Sequence, residues 1–139
     1  MIKTWHLVLL LVITIVGIGI IDVIRTTQKE YYDYYMLEEL DIDRFQETIS
    51  SGTSCILFYE DESDVCKEME NNLGELKSKI NDNIKFYKLN IDNYPGQYKD
   101  YKITGIPSTL IYKEGQEIKR IMGLIPTSNL DMIIKRIEL

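Results

Sequence analysis

The feature that most limits what this chain can fold into is WHLVLLLVITIVGIGIIDVI, Trp5 to Ile24, which carries no formal charge before Asp22. Twenty helical residues at ~1.5 Å each reach ~30 Å, the thickness of a bilayer's hydrocarbon core. The run therefore reads as a membrane anchor and not as part of a water-soluble core. The competing reading is a cleaved signal peptide, with Leu7 to Val16 as the apolar region and Gly17-Ile18-Gly19 as a poor cleavage site. An uncleaved anchor is the expectation, because apolar residues continue past that site. Cations flank the run at Lys3 before it and at Arg25 and Lys29 after it. By the positive-inside rule they lean toward a cytoplasmic C-terminus, but they are too few to fix orientation. The following domain is expected on the extracytoplasmic side, with orientation left open.

The anchor divides the 139 residues into three parts: an anchor over 1–24, a juxtamembrane linker over 25–36 and one globular domain over 37–139. The linker holds four tyrosines between Tyr31 and Tyr35. Their rings suit either the headgroup layer or packing on the domain.

Charge and composition exclude several function classes. Asp and Glu number 22 against 16 Lys and Arg, a net charge of -6, and no basic stripe is present, so nucleic acid is not an expected partner. Two cysteines with a single histidine, His6 inside the apolar run, do not make a zinc site. No phosphate-cradling or dinucleotide-binding glycine fingerprint occurs, and neither a metal nor a cofactor is expected. Metabolic catalysis finds no legible nucleophile–base pair.

Hydrophobic periodicity sets the order of elements. Ile42, Phe45 and Ile49 follow Asp41 and precede Gly52, which predicts a short capped helix. CILFY, Cys55 to Tyr59, is a continuous apolar run of the kind that fills a strand buried on both faces. From Ser63 the pattern turns helical, with Val65, Met69, Leu73, Leu76 and Ile80 on one stripe. Gly74 inside it weakens the helix by up to ~1 kcal/mol and invites a kink. IKFYKLNID, Ile84 to Asp92, predicts a second strand, and YPGQYKDY a turn with a short helix. STLIYKEGQEIKRIMG predicts a hairpin about Glu114-Gly115. Leu130, Ile133, Ile134 and Ile137 predict a closing helix, begun at Thr127 or Ser128 and ended beside Lys135 and Arg136. Strands alternating with helices, followed by a hairpin, argue for an α/β domain on a mixed sheet.

That order, with FYEDESDVCKEM and FYKLNIDNYPGQYKDYKITGIPSTLIYKEGQ, resembles the thioredoxin family from about Leu40 to Ile137. The resemblance implies a thioredoxin fold, with a mixed central sheet, helices on both faces and a cis proline at Pro107. It places Cys66 and Lys67 at the family's second cysteine and its lysine. Ser63 stands where the first cysteine, the attacking nucleophile, belongs. Glu62 replaces the preceding tryptophan, and Leu57 falls where many members bury an aspartate that helps proton transfer. The candidate site is therefore Cys66, Ser63 and Lys67, with Ile106, Pro107 and Tyr59 as candidate contacts for a protein or peptide partner.

A serine hydroxyl is a far poorer nucleophile than a thiolate and forms no disulfide, so turnover by two thiols is not expected. Cys55 does not supply the missing partner. Four strand residues to Tyr59 already cover ~13 Å at ~3.3 Å each, whereas disulfides need Cα atoms within ~7 Å. Cys55 reads as a small core residue. Ser63 reads as a helix N-cap, which places Cys66 in the first turn. There the helix dipole favours a thiolate, while Glu60, Asp61, Glu62, Asp64, Glu68 and Glu70 oppose it. Two functions follow. One is thiol-disulfide exchange through Cys66 alone; the other is a redox-inactive module that holds a peptide or assists assembly. Replacement of Cys66 separates them.

Overall fold

A computed structural model describes residues 3–80, 83–96 and 99–138, except for the side chains of residues 30–34 and 138. The chain divides into two compact units, residues 1–34 and 35–139. The first is helical: α1 (Thr4–Tyr35) runs without interruption through the stretch expected as a linker. Within α1 the segment Thr4–Lys29, 26 residues, is long and apolar enough to cross a membrane. The side chains of Tyr31, Tyr32 and Tyr34, expected at a lipid interface or on the domain, lie outside the described residues.

The second unit is a five-stranded sheet with strand order β1-β3-β2-β4-β5. Its strands are β1 (Glu38–Glu39), β2 (Thr53–Tyr59), β3 (Ile84–Asn90), β4 (Ser108–Lys113) and β5 (Gln116–Met122). The first three run parallel to one another, and β4 and β5 run antiparallel to their neighbours. The sheet is mixed, as the sequence predicts. β1 is a strand that the sequence reading misses, because two exposed glutamates carry no strand periodicity.

Period-2 alternation along each strand divides the core in two. One face gathers Cys55, Leu57, Phe86, Ile111 and Ile121 under Met69, Leu73 and Leu76 of α3 (Asp64–Lys79) and Leu130 and Ile134 of α4 (Thr127–Glu138). The other face gathers Ile56, Phe58, Leu89 and Leu110 against Phe45 and Ile49 of α2 (Ile42–Ile49). β2 lies in the middle of the sheet and is buried on both faces, as its unbroken apolar run requires.

Local chemistry starts and stops the elements. The Asp41 carboxylate accepts a hydrogen bond from Asp43 N at 3.0 Å and caps α2. Glu114 and Gly115 both take positive φ, 49° and 80°, the geometry of a two-residue hairpin turn with the right twist. After β3 a 3-10 turn, Ile91–Asn93, leads into turns at Pro95 and Gly96, and Lys99 is again in 3-10 conformation, so the short helix expected within residues 94–101 falls partly outside the described residues. Pro95-Gly96 breaks any longer helical pattern there. Gln97 and Tyr98 lie outside the described residues.

Gly74 does not break α3, which is continuous from Asp64 to Lys79. Its hydrogen faces the Tyr35 carbonyl, which occupies the space where any Cβ would project. Three residues on, Lys77 Nζ donates to Met36 O at 3.1 Å. The glycine is thus a site of close backbone approach.

Candidate functional site

The end of β2 and the start of α3 build the site. Tyr59 closes the strand, and Ser63 takes extended backbone angles, φ -97° and ψ 111°, just before the helix. Its Oγ accepts a hydrogen bond from Cys66 N at 3.3 Å, and its carbonyl accepts from Lys67 N at 3.1 Å. Ser63 is therefore the N-cap, and Cys66 is the third residue of the first turn, as the sequence predicts.

Burial separates the residues that composition groups together. Cys66 is 1% exposed. Val65, expected on the buried stripe of α3, is instead 48% exposed, because Cys66 turns inward at the adjacent position. The acids also divide: Asp61, Glu62, Asp64 and Glu68 are exposed, Glu60 is half-buried, and Glu70 is 9% exposed. Lys67 points into solvent and stands 3.6 Å from Asp64 Oδ1. With both ends of that pair largely exposed, it contributes little.

Glu70 lies one helical turn beyond Cys66. Its Oε1 sits 2.7 Å from Lys88 Nζ, and the side chains are 11% and 14% exposed. The angle at that contact falls outside hydrogen-bond geometry, so the sealed Oε1 is held by charge and has no hydrogen-bond partner. Lys88 Nζ also stands over the Tyr59 ring, 5.2 Å from its centroid, within cation–π range. The Tyr59 hydroxyl donates to Glu39 Oε2 at 2.9 Å, and Glu39 Oε1 accepts from Asn90 N at 3.3 Å. Burial first, then the hydrogen bond and charge of Glu39, push the Tyr59 phenol well above its ordinary value.

From sequence Glu70 appears only as one of the acids around Cys66, and Lys88 and Glu39 do not appear at all. The signal for Lys88 is strand parity: Ile84 and Phe86 point into the α3-side core, and Lys88 follows them on the same face. The signal for Glu70 is helix spacing, since Cys66, Glu70 and Leu73 form an i, i+4, i+7 line. Leu57 is wholly buried, and across the ladder Thr109 faces it, with a buried hydroxyl that has no hydrogen-bond partner.

The Ile106–Pro107 peptide is cis. Pro107 is buried, while Ile106 and Tyr59 are half-buried. The loop is tied to the end of β5, because Gly123 N donates to Pro107 O at 2.8 Å and Ser108 Oγ contacts Met122 Sδ at 3.4 Å. Ser108 pairs with both Phe58 and Met122 in register, so this loop and Tyr59 stand at the same end of the sheet. Cys55 lies mid-strand in the core, 1% exposed, and burial pushes its thiol up to about 12. Both cysteines are free thiols.

Comparison with known proteins agrees with this arrangement. The Thioredoxin family profile matches residues 36–136. The chain is 26% identical to a thioredoxin of Chlamydia caviae over 101 residues, 73% of this chain and 98% of that protein. It is 25% identical to a thioredoxin of Staphylococcus saprophyticus over 92 residues, 66% of this chain and 88% of that one. A chain from work on thiol resolution in yeast mitochondrial 1-Cys peroxiredoxin via glutathione/thioredoxin systems superposes with a TM-score of 0.65 at 26% identity, covering 74% of this chain and 97% of that one. A mutant thioredoxin from Halobacterium salinarum gives a TM-score of 0.65 at 16% identity, over 74% and 91%, and shows the fold alone. The sheet order, the cis Pro107 loop and the capped helix carrying Cys66, together with a profile match across the whole globular unit, make this chain a member of the thioredoxin family.

Proposed function

We propose that this chain is a membrane-tethered thioredoxin-like protein whose thiol chemistry is confined to one step at Cys66. The observation that carries this reading is the position of Cys66 at the first turn of α3, where Ser63 Oγ binds its amide, at the strand end that also bears Tyr59. Unpaired amides and the positive end of the helix dipole favour a developing thiolate there. Ser63 serves as the cap and contributes no second sulfur, so a mixed disulfide formed at Cys66 has no internal resolving thiol. The protein captures a partner and waits for an external thiol to release it.

The partner is a polypeptide carrying a disulfide, laid against Ile106, Pro107 and Tyr59. Val65 and Met122, each 48% exposed, offer apolar contacts flanking that end of the sheet. The exposed carboxylates of Asp61, Glu62, Asp64 and Glu68 favour a cationic segment. We place the domain outside the cytoplasm, where partner disulfides persist. An uncleaved α1 holds it at the bilayer.

The test is to expose the full chain, in detergent micelles, to a disulfide-linked peptide and map the products. A mixed disulfide on Cys66, absent in Cys66→Ala, is the expected result. A second reading, a redox-inactive groove that holds peptide without covalent chemistry, is favoured by the 1% exposure of Cys66. It requires peptide binding that survives Cys66→Ala, with no mixed disulfide in the parent protein.

A further inference from the structure

We propose that Glu70 is the proton acceptor for Cys66, with Lys88 as its ion-pair partner, an assignment that rests on the single-thiol reading above. A thiol that is 1% exposed has little water to take its proton before sulfur can attack. Glu70 stands four residues further along α3, on the same inward face. Residues so spaced on a helix have Cβ atoms roughly 5–6 Å apart. Its Oε1 is sealed from solvent and faces Lys88 Nζ at 2.7 Å with no further partner among the described residues, and because a carboxylate oxygen carries two lone pairs, one remains to take a proton.

Energetics also point to chemistry. A buried ion pair is a poor device for stability, since desolvation of both charges offsets their attraction and apolar replacements are often as stable. Glu70 and Lys88 are nevertheless held 2.7 Å apart beneath the site. Proton transfer from Cys66 to Glu70 leaves the summed charge of thiol, carboxylate and ammonium unchanged. Negative charge moves one helical turn toward the N-terminus of α3, where the dipole favours it, and no new net charge is buried.

The step balances. The Cys66 S–H bond breaks and its proton passes to a Glu70 carboxylate oxygen. The sulfur electron pair forms an S–S bond with one sulfur of the partner's disulfide. That disulfide's own S–S bond breaks, and its second sulfur leaves as a thiolate that takes the proton back from Glu70. Cys66 is oxidised into the mixed disulfide, and the departing partner sulfur is reduced.

The test is the pH dependence of Cys66 alkylation by iodoacetamide, mapped by mass spectrometry, in the full chain and in Glu70→Gln. Base removal is expected to slow alkylation at pH 7 by tenfold or more, within the range of general base catalysis. At about pH 10, above the ~8.5 of an ordinary cysteine, the two proteins are expected to react at equal rates. Equal slowing at both pH values would mean that Glu70 only controls access, and would overturn the assignment. Unchanged or faster alkylation of Glu70→Gln at pH 7 would overturn it as well. If Glu70→Gln fails to fold, Glu70→Leu with Lys88→Met replaces the pair by apolar groups and is expected to show the same loss at pH 7 alone. A parent protein whose folded form resists alkylation at every pH, and forms no mixed disulfide, would remove the single-thiol reading itself.

Discussion

Glu70 of α3 and Lys88 of β3 meet at 2.7 Å in the space between helix and sheet, with side chains 11% and 14% exposed. Removing one partner leaves the other charge buried and uncompensated. Glu70→Ala or Lys88→Ala is therefore expected to cost about 3–5 kcal/mol, read as a lower urea midpoint. The double change Glu70→Leu with Lys88→Met is expected to cost little or to stabilise. Additive losses in the double variant would show that the pair is not coupled.

Ser63 carries a second prediction. Its Oγ is the only side-chain atom bonded to the amide of Cys66 among the described residues, so Ser63→Ala should cost about 1 kcal/mol. Ser63→Cys puts a sulfur at the N-cap, three residues before Cys66, and is expected to give a protein that oxidises to an internal disulfide, seen as loss of two hydrogens by mass. A Ser63→Cys protein that keeps both thiols free under oxidant would mean that the first turn no longer holds the spacing a disulfide needs.

These sites differ in how far the sequence revealed them. The cap at Ser63, the place of Cys66 in the first turn and the Glu114-Gly115 hairpin turn were legible because each depends on chemistry within four residues. Apart from β1 and the segment after β3, the order of strands and helices was legible because β2 is buried on both faces and α4 carries a clean i, i+3, i+4, i+7 stripe. Glu70 and Lys88 were not, since they are 18 positions apart and only the fold brings α3 over β3. Composition placed Glu70 among the acids around the helix start, and helix period alone put Val65 on the buried stripe in place of Cys66. Gly74 read as a helix weakness, because nothing in its neighbourhood announces that residue 35 returns to it.

Alkaline pH supplies a third prediction. Burial holds the Cys55 proton up to about 12, against an ordinary value of 9.0. Between those values the unfolded chain has released this proton and the folded chain has kept it, so the folded state binds more protons. Stability is therefore complete below about pH 9 and falls as pH rises, with a slope of about 1.4 kcal/mol per pH unit for this one group. Tyr112, pushed up to about 12 mainly by burial, adds the same sign of dependence from about pH 10 upward. Cys55→Ala is expected to remove the part of the decline that begins near pH 9 and to leave the later part. Urea titrations at intervals across that window check it. A parent protein whose stability stays level up to pH 11 would contradict the burial of Cys55.

Gly74 gives the prediction with opposed terms. On helix propensity alone, Gly74→Ala in the middle of α3 should stabilise by about 1 kcal/mol. The new Cβ, however, enters the space held by the Tyr35 carbonyl, a backbone atom that no side-chain rotation can clear. Overpacking of this kind costs about 1–3 kcal/mol, so the net change is expected to be destabilising. Relief by displacement of residues 35 and 36 would also break the bond from Lys77 Nζ to Met36 O, worth about 0.5–1.5 kcal/mol. Lys77→Ala should then add little to the loss already caused by Gly74→Ala, because both changes release the same segment. Urea midpoints of the two single variants and the double variant, measured on the full chain in detergent, decide the matter. A stabilised Gly74→Ala would mean that the chain before β1 does not rest on α3 in solution.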